Sequence, residues 1–368
     1  MTKIAVGSTP IPLGRRSFRP VWLEDVRRQT DGFLERFFSE RAEIERARGA
    51  EASLLRAALA DLTMRGGKRL RPAVLVAAYR AVAPDAIWTA TVPVCAGLEL
   101  LQSYLLIHDD WMDQDAERRG GPSVHVALAQ HTGSEPLGAS LAVLAGDLAS
   151  AWAWELVLEG SWSSPHGRDA LAAFSRMHHD VVLGQEIDLV TEPLGGVRAP
   201  TVDDVARMQR LKTGSYTVDG PLRIGAILAG ARAPELAALE AFGAPLGEAF
   251  QVRDDLLGTF GDPDTTGKPI GSDLRSGRRN ALVRAAEQLL SGVERDAVTA
   301  VLGRSDATAR DVERAIVVLD RSGVRAAVEL HLRSLLDAAL RSLEGAPLAE
   351  PGLTMLRDLA SALALRDR

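Results

Sequence analysis

Segments rich in alanine, leucine, arginine and glutamate, with apolar residues at helical spacing, recur along the whole chain of 368 residues. Such segments favour α-helices, and few stretches show the alternation of apolar and polar residues that is typical of strands. The breaks between the segments are short and rich in turn-forming residues, and we find no repeat of fixed period. The sequence therefore predicts an all-α protein whose helices form one large bundle.

The chain is predicted to be one domain behind a short N-terminal arm. Residues 1–20 carry four basic residues but no apolar core of signal-peptide length, so we expect a flexible arm there and a single domain over residues 21–368. The longest apolar stretch, Leu137 to Leu158, is interrupted by Asp147 and Glu155. This interruption predicts a buried helix and no stable membrane insertion.

The cysteine content and the net charge restrict the expected compartment and the expected classes of ligand. Cys95 is the single cysteine, so an internal disulfide is excluded and a reducing compartment is the simplest expectation. The formal net charge of -6 argues against a general nucleic-acid binder. We expect a cytoplasmic protein that acts on small molecules.

Two acidic clusters follow apolar helical segments. Asp109, Asp110 and Asp113 form the first cluster, and Asp254 and Asp255 form the second. Carboxylates four residues apart share one face of a helix, and acids at a helix C-terminus oppose the macrodipole unless a cation is present. Hard oxygen ligands suit Mg2+, which binds one or two carboxylates and keeps substrate phosphates in its shell. The clusters predict metal sites within the bundle, with two unrelated acidic helix ends as the alternative.

Basic residues beside glycines form four further motifs, at residues 66–72, 118–121, 212–214 and 267–271. Glycine lets the backbone approach an anion closely, and Lys and Arg donate charge-assisted hydrogen bonds. Of the 43 basic residues only four are lysines, and three of these lie in the motifs: Lys68, Lys212 and Lys268. No GxxxxGK[ST] loop occurs. Acids and cations together imply diphosphates bound through Mg2+ on one side and by cations on the other.

In this order and spacing, over about residues 54–279, the motifs closely resemble those of the trans-isoprenyl diphosphate synthases, also called polyprenyl synthetases. The resemblance implies an isoprenoid synthase-type bundle of antiparallel helices around a central cavity, usually in a homodimer. It also implies a prenyltransferase that joins isopentenyl diphosphate head to tail to allylic diphosphates of five, ten or fifteen carbons. Mg2+ is the implied cofactor, with three ions per site when substrate is bound.

The resemblance also assigns roles to individual residues. Asp109, Asp110 and Asp113 are implied to hold Mg2+ with the allylic diphosphate, and Asp254 and Asp255 to hold the remaining metal. Asp109 and Asp254 thereby belong to the catalytic set. Arg118 is implied to contact the allylic diphosphate, and the pocket for isopentenyl diphosphate is implied to consist of Lys68, Arg71, Gln102 and Arg119. The residues implied to lie over the allylic diphosphate and the forming cation are Lys212, Thr213, Gln251 and Lys268. Gln185 and Asp188 are implied to face the cavity.

The length of the product depends on the depth of the cavity. Tyr104 lies five residues before Asp109, roughly 7.5 Å back along a helix axis, where its ring is predicted to close the cavity. The next residue, Leu105, is not aromatic. By resemblance this pattern fits geranylgeranyl diphosphate (C20), with farnesyl diphosphate (C15) as the close alternative and plain core packing as the other role for Tyr104.

Three positions depart from the family pattern. Gly258 stands where many members have a third aspartate in the second acidic motif, and we expect either Asp262 to compensate or two acids to suffice. The segment 277–279 carries arginine where relatives often carry lysine, and Trp111 is bulkier than the expected aliphatic residue.

Other functions stay open at this point. A class I terpene cyclase would also bind Mg2+ and a diphosphate, but it has no use for a second diphosphate pocket at Lys68, Arg71 and Arg119. A head-to-head prenyl synthase should lack the GGKRLRP and FQVRDD pair of motifs, which this chain has. A catalytically silent subunit of a heteromeric synthase should have lost acids or lysines, whereas here only the third acid of the second motif is missing.

Overall fold

The computed structural model describes residues 20–49, 53–191, 202–261, 271–275, 277–278, 280–304 and 306–364. Three predicted features lie outside these ranges: Lys268, Asp262 and the arm over residues 1–19. The described residues include the helices of the bundle and most of the motifs, and the predictions for Lys268, Asp262 and the arm stay predictions.

Within the described residues, nearly all of the regular structure is helical, which confirms the predicted all-α fold. The helices are α1 (Val21–Ala47), α2 (Leu54–Met64), α3 (Leu70–Val82), α4 (Val92–Met112), α5 (Val124–Thr132), α6 (Glu135–Trp162), α7 (Gly167–Val190), α8 (Val202–Gln209), α9 (Gly220–Leu228), α10 (Ala233–Phe260), α11 (Ser272–Arg275), α12 (Ala281–Leu289), α13 (Gly292–Thr299), α14 (Ala309–Arg321), α15 (Val324–Ser342) and α16 (Gly352–Ala364). A 3-10 turn (Trp88–Thr91) precedes α4, and an antiparallel pair of two-residue strands, β1 (Glu117–Arg118) and β2 (Gly121–Pro122), follows it.

The sequence pattern missed three local features. It predicted neither α5 nor α13, each of nine residues or fewer, because such short helices give little periodic signal. The third feature is a π-helix over Arg210–Asp219, which the sequence pattern does not distinguish from an ordinary helix. We call this ten-residue stretch the π segment; π turns occur often at functional sites.

Helix α4 lies in the centre of the bundle and carries the first acidic cluster at its end. Residues Val94 to Leu101 are all buried, and the helix packs along α6. Gly97 makes this approach possible, because a Cβ there would lie 2.9 Å from the carbonyl oxygen of Ala153. Helices α4 and α6 are long and apolar enough to cross a membrane, but α4 is mostly buried inside the fold. The predicted burial of the Leu137 to Leu158 stretch is confirmed on one face of α6 only, since leucines on its outer face are exposed.

A buried ion-pair network fixes the loop before α3, which carries Lys68. Arg69 adopts a left-handed backbone conformation, with φ 48°, and its side chain is buried. Its guanidinium donates to Asp31 at 2.6 Å, to Glu99 of α4 at 2.7 Å and to the carbonyl of Thr63 at 2.9 Å. Buried charges are stable only when paired in this way, so the network ties the 66–69 loop to the central helix.

Candidate active site

A cavity of about 340 Å3 lies between α4, α7 and the π segment. Tyr104, Leu105, Val181 and Leu189 contribute apolar walls, while a polar end is formed around Asp109. Gln185, Lys212 and Tyr216 also line it. An elongated apolar cavity with a few polar groups at one end fits a ligand with a hydrocarbon part and a charged part.

The π segment brings Lys212 to this polar end. It packs against α7 at Gly184, where a Cβ would lie 2.3 Å from the Lys212 backbone nitrogen. Only glycine permits that approach without a shift of backbone. The prediction that the Lys212 motif and the Gln185 motif face one cavity is therefore explained by direct contact between the two elements.

Lys212 connects α4 and α7 electrostatically. Its Nζ donates to Asp188 at 2.5 Å and to Asp109 at 3.1 Å, and Gln185 Nε2 donates to the same Asp109 oxygen at 3.3 Å. Burial alone would lower the pKa of Lys212, but the Asp109 and Asp188 carboxylates raise it. Burial would likewise raise the pKa of Asp109, yet Lys212, Arg118 and Arg278 hold it below its usual range. Both groups are therefore charged at neutral pH.

Asp113, one turn further along α4, is held by a cation from a distant part of the chain. Arg278 donates to its carboxylate at 2.7 Å. The pKa of Asp113 is raised by burial and by neighbouring Asp109, with Arg278 opposing the change. Arg278, in the segment where relatives often carry lysine, thus brings a positive charge to the acidic end of α4.

Asp110 has different surroundings from its neighbours in the first cluster. It is 1% exposed, and Arg118 Nε donates to its Oδ1 at 2.6 Å. Burial raises the pKa of Asp110 to about 6 despite this partner. Arg118 also lies 3.8 Å from Asp109 and 3.1 Å from Asp115. Asp110 therefore orients Arg118 in this structure, and its predicted role as a metal ligand stays a prediction.

The second acidic pair divides between surface and interior. Asp254 is exposed, whereas Asp255 is buried. The Asp255 carboxylate accepts from Gln251 Nε2 at 2.8 Å and from the backbone N–H of Ala281 at 2.9 Å, at the start of α12. Burial raises the pKa of Asp255 to about 7. Gln251 and Asp255 thus join α10 to α12, while the metal roles predicted for both aspartates stay predictions.

A second cationic region, which we call the arginine pocket, surrounds Arg119. Burial lowers the pKa of Arg119, Glu99 opposes this, and the cations of Arg69, Arg71 and Arg118 lower it further. Arg119 donates to the carbonyl of Leu62 at 3.0 Å, and within the described residues the structure gives it no salt bridge. An excess of partly buried positive charge is unfavourable without an anion, so this pocket suits an anionic ligand.

Of the residues predicted for isopentenyl diphosphate, Arg71 and Arg119 lie together in the arginine pocket, which touches the cavity wall, and the roles of Lys68 and Gln102 stay predictions. Arg71 donates to Thr217 of the π segment at 3.0 Å, and its guanidinium carbon lies 4.2 Å from the centre of the Tyr216 ring. The buried Oε1 of Gln102 has no hydrogen-bond partner. Lys68 is exposed. Tyr216 and Thr217 could not be identified from the sequence, because an aromatic and a hydroxyl residue beside a lysine motif are common in ordinary helices.

The donor atoms at the polar end fit a divalent cation. Asp109 and Asp113 share one face of α4, and two protein cations, Lys212 and Arg278, currently balance them. Within the described ranges no three acidic, histidine or cysteine side chains converge on one point. Mg2+ does not need such a cage, because it binds one or two carboxylates and takes its other ligands from water and substrate phosphates.

Comparison with known proteins gives consistent matches. The family described as Polyprenyl synthetase matches residues 52–319. A short chain isoprenyl diphosphate synthase of Methanocaldococcus jannaschii is 34% identical over 261 residues, 71% of this chain and 75% of that protein. A geranylgeranyl diphosphate synthase of Mycobacterium tuberculosis is 36% identical over 295 residues, 80% of this chain and 79% of that protein.

A solved structure extends the match to nearly the whole fold. The geranylgeranyl pyrophosphate synthase of Corynebacterium glutamicum, crystallised with isoprenyl diphosphate and magnesium, superimposes with a TM-score of 0.84 at 30% identity. The superposition covers 94% of this chain and 99% of that one. The bundle and its order of helices are therefore those of that protein.

Proposed function

Because the chain belongs to the polyprenyl synthetase family and is a prenyltransferase, we propose that it condenses isopentenyl diphosphate head to tail with allylic diphosphates of five, ten or fifteen carbons. We propose geranylgeranyl diphosphate, C20, as its main product. The observation that carries the proposal is the arginine pocket beside the cavity. A cyclase binds one diphosphate, whereas this site offers two separate cationic regions.

The two regions suit the two substrates. An allylic diphosphate fits with its chain in the apolar cavity and its charged end near Asp109, Arg118 and Lys212. Isopentenyl diphosphate fits in the arginine pocket, where Arg71 adjoins the cavity through Tyr216. This arrangement would place the double bond of one substrate beside the reacting carbon of the other, which is the main requirement for a condensation between two bound reactants.

A divalent cation belongs to such a site, since the Corynebacterium relative was crystallised with magnesium and isoprenyl diphosphate. We propose Mg2+, three ions when substrate is bound, with Asp109, Asp113 and Asp254 among the ligands. Bound Mg2+ supplies Lewis-acid stabilisation of the departing diphosphate.

The protein's own residues account for the rest of the reaction. Lys212 and Arg118 place positive charge where negative charge develops as the allylic C–O bond breaks. The apolar walls at Leu105 and Val181 exclude water from the resulting cation, and the double bond of isopentenyl diphosphate then forms the new C–C bond. His108, which lines the cavity, lies 3.2 Å from the carbonyl of Val143 through Nε2 and is not aimed at the polar end. The released diphosphate is therefore the proposed acceptor of the proton lost from isopentenyl diphosphate.

The position of Tyr104 in the cavity wall supports the C20 assignment. The ring of Tyr104 lines the cavity and packs edge-on against His108, with 4.8 Å between ring centres, and against His178, with 5.3 Å. We define the floor as Tyr104 together with His178 beneath it. A rigid aromatic floor stops chain growth at a fixed length, and the position of Tyr104 on α4 favours C20 over C15.

We further propose a cytoplasmic homodimer that binds neither nucleic acid nor membrane. Exposed apolar residues recur every seven positions on the outer face of α6, at Leu137, Leu144, Ala151 and Leu158. A stripe with this spacing suits packing against a second copy of the same helix. Leu144→Glu should convert the dimer to a monomer in light scattering; a wild-type monomer would contradict the proposal.

Kinetics with each substrate varied separately test the two-pocket assignment. Arg119→Gln should raise the KM for isopentenyl diphosphate by roughly tenfold or more, because a charge-assisted contact is lost, and leave the KM for the allylic diphosphate nearly unchanged. Arg28→Gln on the exposed face of α1 is the matched control. An equal rise in both KM values would contradict the assignment. Consumption of an allylic diphosphate to hydrocarbon without isopentenyl diphosphate would favour the cyclase.

A further inference from the structure

Arg71 and Arg69 have opposite surroundings, although they are only two residues apart. The buried side chain of Arg69 is paired with two carboxylates. Arg71 has neutral partners instead: its Nη2 donates to the hydroxyl of Thr217 at 3.0 Å, and its guanidinium lies over the ring of Tyr216. Within the part of the chain that the structure describes, Arg71 forms no ion pair with a carboxylate. Its positive charge is therefore available to a ligand.

Most of the hydrogen-bonding capacity of Arg71 is unused. A guanidinium has five N–H donors, and the bond to Thr217 uses one of them. Nε of Arg71 is buried and has no partner, which costs free energy unless a ligand supplies an acceptor. Burial, and also the positive charge of Arg71, lowers the pKa of Arg119, so the two cations lie close together. These surroundings suit an anion with several acceptor oxygens.

The π segment holds Arg71 from the side of the cavity. Thr217 lies on this segment and is fully buried, so the place of its hydroxyl is fixed by packing. Lys212, five residues earlier, donates to Asp109 in the cavity. Residues five apart lie one hydrogen-bonded turn apart in a π-helix. One turn of the π segment therefore contacts the acidic end of the cavity through Lys212 and the arginine pocket through Thr217.

We infer that Thr217 is a positioning residue whose hydroxyl orients the Arg71 guanidinium toward the diphosphate of isopentenyl diphosphate. The inference rests on the proposed function, which assigns the arginine pocket to this substrate. A carboxylate at position 217 would also hold Arg71, but it would neutralise the charge that the ligand needs. A hydroxyl accepts one hydrogen bond and leaves the charge in place. Thr217 thus acts through Arg71.

Two conservative replacements of Thr217 separate this role from packing. Thr217→Val keeps the shape and removes the hydroxyl. It should raise the KM for isopentenyl diphosphate by roughly fivefold or more and leave kcat and the allylic KM within about twofold of wild type, because a hydrogen bond to a charged group is lost. Thr217→Ser keeps the hydroxyl, so its KM for isopentenyl diphosphate should stay within about twofold of wild type. A packing role predicts the reverse order, since serine leaves a cavity and valine fills it.

Thr30→Val is the matched control. Thr30 is equally buried, but its hydroxyl donates to the carbonyl of Val26 within α1. This variant loses a buried hydroxyl outside the arginine pocket, so its KM for isopentenyl diphosphate should equal that of wild type.

Calorimetric titration with isopentenyl diphosphate alone gives a readout that does not depend on turnover, and circular dichroism verifies the fold of each variant. Wild-type affinity in Thr217→Val would overturn the inference, and so would weaker binding by Thr217→Ser than by Thr217→Val. In an Arg71→Gln background, Thr217→Val should cause no further loss, because the two residues act as one unit; a second loss of full size would also overturn the inference. If the binding results are as expected but wild type joins no prenyl substrates, the proposed function fails and the assignment of Thr217 stands.

Discussion

Replacing Tyr104 with alanine should lengthen the main product by one five-carbon unit, from C20 to C25. Tyr104 forms the upper part of the floor, and removing its ring opens the cavity toward the preceding turn of α4. One helical turn rises about 5.4 Å, close to the length of one isoprene unit, so the gain in depth admits one further condensation.

A second aromatic layer should prevent growth beyond C25. His178 packs edge-on against Tyr104, and its Nδ1 accepts from Trp154 Nε1 at 3.2 Å. Trp154 in turn packs edge-on against the buried Phe174, with 4.8 Å between ring centres. Aromatic pairs of this kind contribute about 0.5–1.5 kcal/mol each, so the layer should persist when one neighbour is removed.

The assay is mass spectrometry of dephosphorylated products, with the C15 primer and isopentenyl diphosphate as substrates. Tyr104→Phe keeps the ring and should still give C20, which makes it the matched control. An unchanged distribution in Tyr104→Ala would refute the role of Tyr104 in the floor. A broad distribution reaching C30 and beyond would refute the second layer formed by His178 and Trp154.

Three further predictions concern the acidic end and the frame of the bundle. Asp109→Asn should lower turnover by roughly 100-fold or more, because it removes charge needed for metal binding. Asp169→Asn, at an exposed position, should leave turnover unchanged. Equal turnover by Asp109→Asn and wild type at saturating Mg2+ would contradict the proposed site. Arg69→Met should destabilise the fold by about 3–5 kcal/mol in urea titrations, because Glu99 is left buried and unpaired, and adding Glu99→Leu should restore most of the loss. The raised pKa of Asp255, about 7 against 3.8, means that the folded state binds this proton more tightly than the unfolded state. Without metal, stability should therefore fall as pH rises from about 4 through 7, by at most roughly 4 kcal/mol from this group. Asp255→Asn should flatten the slope between about pH 4 and 7, and an identical slope in both proteins would refute it.

Much of the fold and the general position of the site could be predicted from the sequence. Helical periodicity identified long helices such as α10, which buries one apolar face over many turns. Lys212 and Gln185 line one cavity, where both side chains contact Asp109 directly, while the roles predicted for them stay predictions.

What the sequence could not show depends on contacts between distant segments. Asp109 and Asp110 are adjacent in the chain, yet Asp109 accepts a hydrogen bond from Lys212, whereas the buried Asp110 accepts one from Arg118. Adjacent residues on a helix point about 100° apart, so their environments differ even when their motif is shared. The close approach of the Asp273 carboxylate to Gly258 involves two different helices, α11 and α10, and no pattern along the chain reveals it.

The most direct test of the central claim is product analysis of the wild-type protein with Mg2+, isopentenyl diphosphate and, in separate reactions, C5, C10 and C15 allylic diphosphates. We predict a C20 alcohol after dephosphorylation with all three primers and no product when isopentenyl diphosphate is omitted. A stop at C15 would contradict the product length alone. Hydrocarbon formed from a primer without isopentenyl diphosphate, or no consumption of any primer, would contradict the proposal that this chain is a head-to-tail prenyl diphosphate synthase.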